Sequence, residues 1–81
     1  MTAPSFTLYS TWGCHLCEDA QSLLVQLQLS FTVLDIVDDA EAFAKFRTQI
    51  PVLGAGSYYL YWPFDQEALQ AFVNAHSLQG K

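Results

Sequence analysis

The stretch Thr11-Trp12-Gly13-Cys14-His15-Leu16-Cys17 decides how this chain is read. It contains both cysteines of the protein. An apolar, β-like run, Phe6-Thr7-Leu8-Tyr9, precedes it, and a helical pattern follows it. Two thiols one helical turn apart can close a disulfide without moving the backbone. The free N–H groups and dipole of a helix start also favour a thiolate at the first of them. A Cys-x-x-Cys in this setting reads as a thiol–disulfide redox site.

Outward from that stretch, residues 5–10 read as a first strand and residues 14–29 as a first helix. Leu16, Ala20, Leu23, Leu24 and Leu27 recur on the helix at the spacing of one apolar face. Residues 31–36, Phe-Thr-Val-Leu-Asp-Ile, read as a second strand, rich in β-branched and aromatic residues. A strand–helix–strand unit of this length predicts a parallel crossover. A second helix is expected over residues 39–47, with Asp38 and Glu41 at capping-box spacing and Ala40, Phe43, Ala44 and Phe46 supplying apolar contacts. Pro51 ends it by biasing Ile50 toward extended geometry. Val52-Leu53 and Ser57–Tyr61 flank Gly54-Ala55-Gly56, which predicts an antiparallel hairpin. Tyr58, Tyr59 and Tyr61 are then divided between the two sides of the last strand. A third helix is expected over residues 66–77. Asp65 serves as its cap, Phe64 and Leu69 form a hydrophobic staple, and Leu69, Phe72, Val73 and His76 share one face. His76 reads as a packed or capping residue.

The chain has 81 residues, which predicts a single domain spanning 1–81. A domain this small is marginal without good packing, but 52% of its residues are hydrophobic and only 14% charged. No apolar run reaches the roughly 20 residues of a membrane helix. Met1-Thr2-Ala3-Pro4-Ser5 lacks the basic start and apolar stretch of a secretory signal, so a cytoplasmic address is expected. There a cysteine pair is usually catalytic or metal-binding rather than a structural staple. The formal net charge is −5, with Lys45, Arg47 and Lys81 the only lysines or arginines. Phosphate backbones are bound mainly through such cations, so neither nucleic acid nor anionic membrane is an expected partner. A protein with a basic docking patch is a better match, though the acidity also serves solubility alone. A structural zinc site wants four Cys or His ligands. This chain has two of each, with His15 lying inside the cysteine pair, so no metal site is expected.

The order β-α-β-α-β-β-α, with Cys-x-x-Cys after the first strand and a proline before the third, resembles the thioredoxin fold. Leu8-Tyr9-Ser10 leading into Gly13-Cys14-His15-Leu16-Cys17, then Ile50-Pro51-Val52-Leu53 and Trp62-Pro63-Phe64-Asp65, make the chain similar to a small glutaredoxin-like protein. The resemblance covers nearly the whole chain. It implies an α/β fold, a four-stranded mixed sheet flanked by three helices, with a cis Ile50–Pro51 bond beside the cysteine pair. It implies a monomeric thiol–disulfide oxidoreductase acting on disulfide-containing proteins or on glutathione mixed disulfides, with no required cofactor. Cys14 is then the nucleophile, Cys17 the resolving thiol, and Cys14–Cys17 the redox disulfide. Gln49, Ile50 and Pro51 would present backbone to an extended substrate, and Asp65 would contribute to substrate binding; Trp12 either forms an apolar contact surface for the incoming disulfide or only shields the helix start.

His15 as a cation would stabilise the Cys14 thiolate; otherwise it is a solvent-facing loop residue. Glu18 is a helix neighbour of Cys14 and, with Asp19, opposes a thiolate. Several features depart from the family pattern. His15-Leu16 stands where many glutaredoxins have a proline. Tyr9-Ser10-Thr11-Trp12 offers no basic residue toward glutathione. Trp62-Pro63 replaces the glycines that let glutathione approach the backbone. Two alternatives to the oxidoreductase follow from the same resemblance. One is a module that binds an iron–sulfur cluster with glutathione as co-ligand. The other is a redox-inactive thioredoxin-like adaptor.

Overall fold

A computed structural model describes residues 6–76. Ser5 and Ser77, expected in the first strand and the last helix, lie outside the described residues. The elements are β1 (Phe6–Ser10), α1 (His15–Gln26), β2 (Thr32–Asp35), a 3₁₀ turn (Ile36–Asp38), α2 (Ala40–Phe46), β3 (Val52–Ala55), β4 (Tyr58–Tyr61) and α3 (Gln66–His76). They form one mixed four-stranded sheet in the order β2-β1-β3-β4. β1 pairs parallel with β2 and antiparallel with β3, and β3 and β4 form the expected hairpin.

Successive strand residues face opposite sides of a sheet, and the two cores follow that alternation. Phe6 and Leu8 of β1, with Leu53 and Ala55 of β3, meet Ala20 and Leu24 of α1 and Phe64 and Leu69 at the start of α3. Tyr9 and Val52, one residue out of phase, meet Ile36 and the α2 residues Ala42 and Phe46 on the other face. Thus α1 and α3 cover one side of the sheet and α2 the other. Leu8, Leu24, Leu53 and Leu69 are wholly buried, and each such side chain contributes about 1.5–3 kcal/mol on leaving water.

Helix α1 stops at Gln26, three residues short of the expected end. Gln28 takes a φ of 58°, and its N–H donates to the Val25 carbonyl while that of Leu29 donates to the Leu24 carbonyl. That pair of bonds is the left-handed Schellman termination, here built without glycine. The apolar face of α1 runs through Cys17, Ala20 and Leu24. Leu16, expected on that face, is 48% exposed, because Cys17 at the next position occupies the line that points at the sheet.

In α2 the cap is Asp39 rather than Asp38: its carboxylate accepts from the N–H groups of Glu41 (3.0 Å) and Ala42 (3.1 Å). Asp38 belongs to the preceding 3₁₀ turn. The one-residue shift changes which side chains face inward. Ala42 and Phe46 are buried, whereas Ala40, Phe43 and Ala44 face solvent. Helix α3 agrees with expectation. The Asp65 carboxylate accepts from the Ala68 N–H at 2.8 Å, and Phe64 and Leu69 share one core. Its inward face includes Phe72 and Val73, and His76 stacks on Tyr58 with ring centroids 4.4 Å apart. Tyr59 and Tyr61 lie instead with Phe46 on the α2 side.

Candidate functional site

Sheet register brings four chain segments to one end of the molecule. Ser10 pairs with Asp35, Tyr9 with Val52 and Val52 with Tyr61. The loop to Cys14 after β1, the 3₁₀ turn after β2, Gln49-Ile50-Pro51 before β3 and Trp62 after β4 therefore leave the sheet on the same side. The peptide bonds Ile50–Pro51 and Trp62–Pro63 are cis. The Trp62 N–H donates to the Pro51 carbonyl at 3.2 Å, which ties two of these segments together.

Cys14 sits at the N-cap of α1 in extended backbone geometry. Gly13 makes the turn into it with a φ of 79°, a conformation a side chain would resist. The Cys14 N–H donates to the Thr11 carbonyl at 3.4 Å. The Cys14 sulfur accepts from the Cys17 N–H at 3.1 Å, taking the place of the Asp or Ser oxygen that usually satisfies a first-turn donor. The two sulfurs are at disulfide contact, with Cα atoms 5.2 Å apart, inside the range disulfides occupy. Exposure separates the pair: Cys14 is half-buried, while Cys17 is 4% exposed and faces the core.

Trp12 stands 92% exposed beside the pair. With Thr11, Cys14, Cys17, Glu18 and Gln21 it lines an open depression. His15 is exposed at the first position of α1. Gln49 is exposed, Ile50 half-buried and Pro51 buried. The Ile50 N–H donates to the Phe46 carbonyl at 3.1 Å, so it closes the end of α2. Asp65 is likewise occupied in capping α3.

One residue that sequence reasoning missed is Asp35. Its carboxylate accepts from the Thr11 hydroxyl at 3.2 Å and the Val37 N–H at 3.0 Å, which anchors the cysteine loop to the end of β2. The only signal was a lone acid closing an otherwise apolar strand pattern. Lys45 of α2 and Arg47 at its C-cap are directed at aromatic rings. Lys45 Nζ lies 4.6 Å from the Tyr59 ring centroid, and the Arg47 guanidinium lies 5.9 Å from that of Phe43. Among the described residues no helix is long and apolar enough to cross a membrane. No group of three or more His, Cys, Asp or Glu there is arranged to hold a metal ion.

A buried thiol behind a half-exposed one at a helix start fits a redox role, and comparison with known proteins agrees. The profile of the Glutaredoxin-like domain (DUF836) matches residues 5–74. No curated protein matches the chain. The crystal structure of the protein XcR50 from X. campestris superposes with a TM-score of 0.79 at 36% identity, covering 86% of this chain and 96% of that one. The solution structure of Ne2328 from Nitrosomonas europaea gives 0.74 at 24% identity, covering 89% and 93%. The glutaredoxin of Archaeoglobus fulgidus gives 0.64 at 16% identity, covering 86% of each, which speaks to the fold. With the profile spanning most of its length and the cysteine pair seated at the start of α1, the chain belongs to the glutaredoxin-like domain family.

Proposed function

We propose that this protein is a thiol–disulfide oxidoreductase that reduces disulfides of proteins and mixed disulfides of glutathione. The observation that carries the reading is the asymmetry of the pair: Cys14 half-exposed at the cap of α1, Cys17 buried behind it and donating its N–H to the Cys14 sulfur. A hydrogen bond to a charged group contributes about 1.5–3 kcal/mol, and a helix start about 0.3–1 kcal/mol more. Both act in the same direction and favour the Cys14 thiolate, while the charge of Glu18 opposes it.

The reaction needs no cofactor, because the two thiols supply both electrons. The Cys14 thiolate attacks one sulfur of the substrate disulfide. That S–S bond breaks, a mixed disulfide forms, and the departing thiolate takes up a proton. Cys17 then loses its proton and attacks Cys14, releasing the second substrate thiol and leaving the Cys14–Cys17 disulfide. A cellular dithiol must then reduce the pair, and a reducing cytosol is the setting in which the dithiol form persists. Trp12 and the backbone around Gln49 to Pro51 form the surface on which an extended substrate would rest, and His15 at the helix start would add positive charge when protonated. Cys14→Ser should abolish reduction of a disulfide substrate followed by thiol release. Cys17→Ser should accumulate a mixed disulfide visible by intact mass. Full turnover by Cys14→Ser rejects the assignment.

A further inference from the structure

We infer that the Cys14 site favours disulfides carrying positive charge near the sulfurs over anionic ones, so that of the substrates proposed above, protein disulfides flanked by basic residues react faster than the anionic mixed disulfides of glutathione. The inference rests on the thiol–disulfide reading and names the substrate class within it. Three observations carry it. The depression beside the pair holds one formally charged side chain, Glu18, whose N–H donates to the Cys14 carbonyl at 3.2 Å, one helical turn away. Trp12 at its rim is almost wholly exposed, and an indole face attracts ammonium and guanidinium groups.

Acidic side chains are also gathered at this end of the sheet. Of the eight acids, Asp35, Asp38, Asp39 and Asp65 lie where β2 or β4 leaves the sheet at the Cys14 end, and Glu18, Glu41 and Glu67 lie in the first turns of the helices. Three helix starts at that end offset part of this charge, each with about half a unit. Lys45, which shares a pocket with Asp39 and Glu41, and Arg47 are directed at the rings of Tyr59 and Phe43 on the α2 side and do not line the depression. Glu18 thus has no cation beside it in the lining of the depression, and negative charge so placed concentrates cations and accelerates their approach.

The test uses the reduced protein in single turnover, so the Cys14–Cys17 dithiol is itself the reductant and becomes the disulfide as two substrate thiols are released. Three small disulfides serve as probes: cystamine, a dication; hydroxyethyl disulfide, neutral; and dithiodipropionate, a dianion. Each rate constant is divided by that of the same probe with free dithiothreitol, which removes intrinsic reactivity. The normalised rate for cystamine should exceed that for dithiodipropionate by about tenfold or more at low salt. The ratio should contract at least about threefold in 0.5 M NaCl, where charges farther apart than a few ångströms are screened. It should contract similarly in Glu18→Gln but not in Ala75→Lys, which makes the same change of net charge at the far end of α3. A companion His15→Gln variant, which removes the one imidazole beside Cys14, should keep the preference. Equal normalised rates for the charged probes, with hydroxyethyl disulfide still reduced, overturn the selectivity alone. No reaction with the neutral probe overturns the thiol–disulfide reading and the selectivity with it.

Discussion

Gly54 shows how much one missing side chain decides. A Cβ built there would stand 2.9 Å from Cε2 of Tyr9 and 3.3 Å from the ring of Tyr59, so the backbone of β3 lies directly under two aromatic rings. Gly54→Ala should lower stability by about 1–3 kcal/mol through overpacking, read as a lower urea midpoint at unchanged slope. A midpoint equal to wild type rejects the close approach. The sequence pattern places Gly54 in a turn, with Ala55 and Gly56. The hairpin needs only Gly56 and Ser57 between the paired residues Ala55 and Tyr58, and a strand glycine often marks such an approach. The same limit applies at the site. Cys14 and Cys17 are legible from their spacing, because helical period alone puts one at the cap and the other a turn inward. The Asp35–Thr11 hydrogen bond joins residues 24 positions apart, and no local pattern encodes it.

At the scale of elements, caps and periods read well where the signal is a side chain and poorly where it is backbone. Asp65 caps α3 as expected. Asp38 and Asp39 are chemically equivalent candidates, and only the 3₁₀ turn that consumes Ile36–Asp38 makes Asp39 the cap of α2. The end of α1 is the harder case. No glycine or proline lies between Leu27 and Ser30, so the apolar period continues through Leu27 and the helix looks longer than it is. The stop is made by Gln28 at a φ of 58°, and Leu29 turns back to pack against the α1–α3 core. A non-glycine residue pays about 1–2 kcal/mol in that conformation, offset in part by the freer unfolded chain that glycine gives. Gln28→Gly should therefore stabilise the protein by up to about 1 kcal/mol, raising the thermal midpoint by at most roughly 4–8 °C for a domain of this size. A lower midpoint would mean that Gln28 does not hold the left-handed position.

At the scale of the whole molecule, one sheet divides the protein into an α1–α3 core and an α2 core. The second core contains a titrating group whose equilibrium folding displaces. The Tyr9 hydroxyl is pushed above its ordinary 10.0, first by burial, then by the neighbouring Tyr59 and Asp39, with Lys45 opposing. Tyr9 packs on Phe46 with ring centroids 4.7 Å apart, so its ionisation in place would put charge against that core. A folded-state pKa above the unfolded one means the native state holds the proton longer. Proton linkage then makes stability fall as pH rises wherever the native state binds more protons. The contribution is complete below about pH 10, is lost as pH climbs from there through the folded pKa, and levels off above it. Urea midpoints measured from pH 8 to 11 should decline at the alkaline end in wild type. Tyr9→Phe should decline less over the same range, because its ring packs in the same place without a proton to lose. Parallel curves for the two proteins would show that Tyr9 does not couple ionisation to folding.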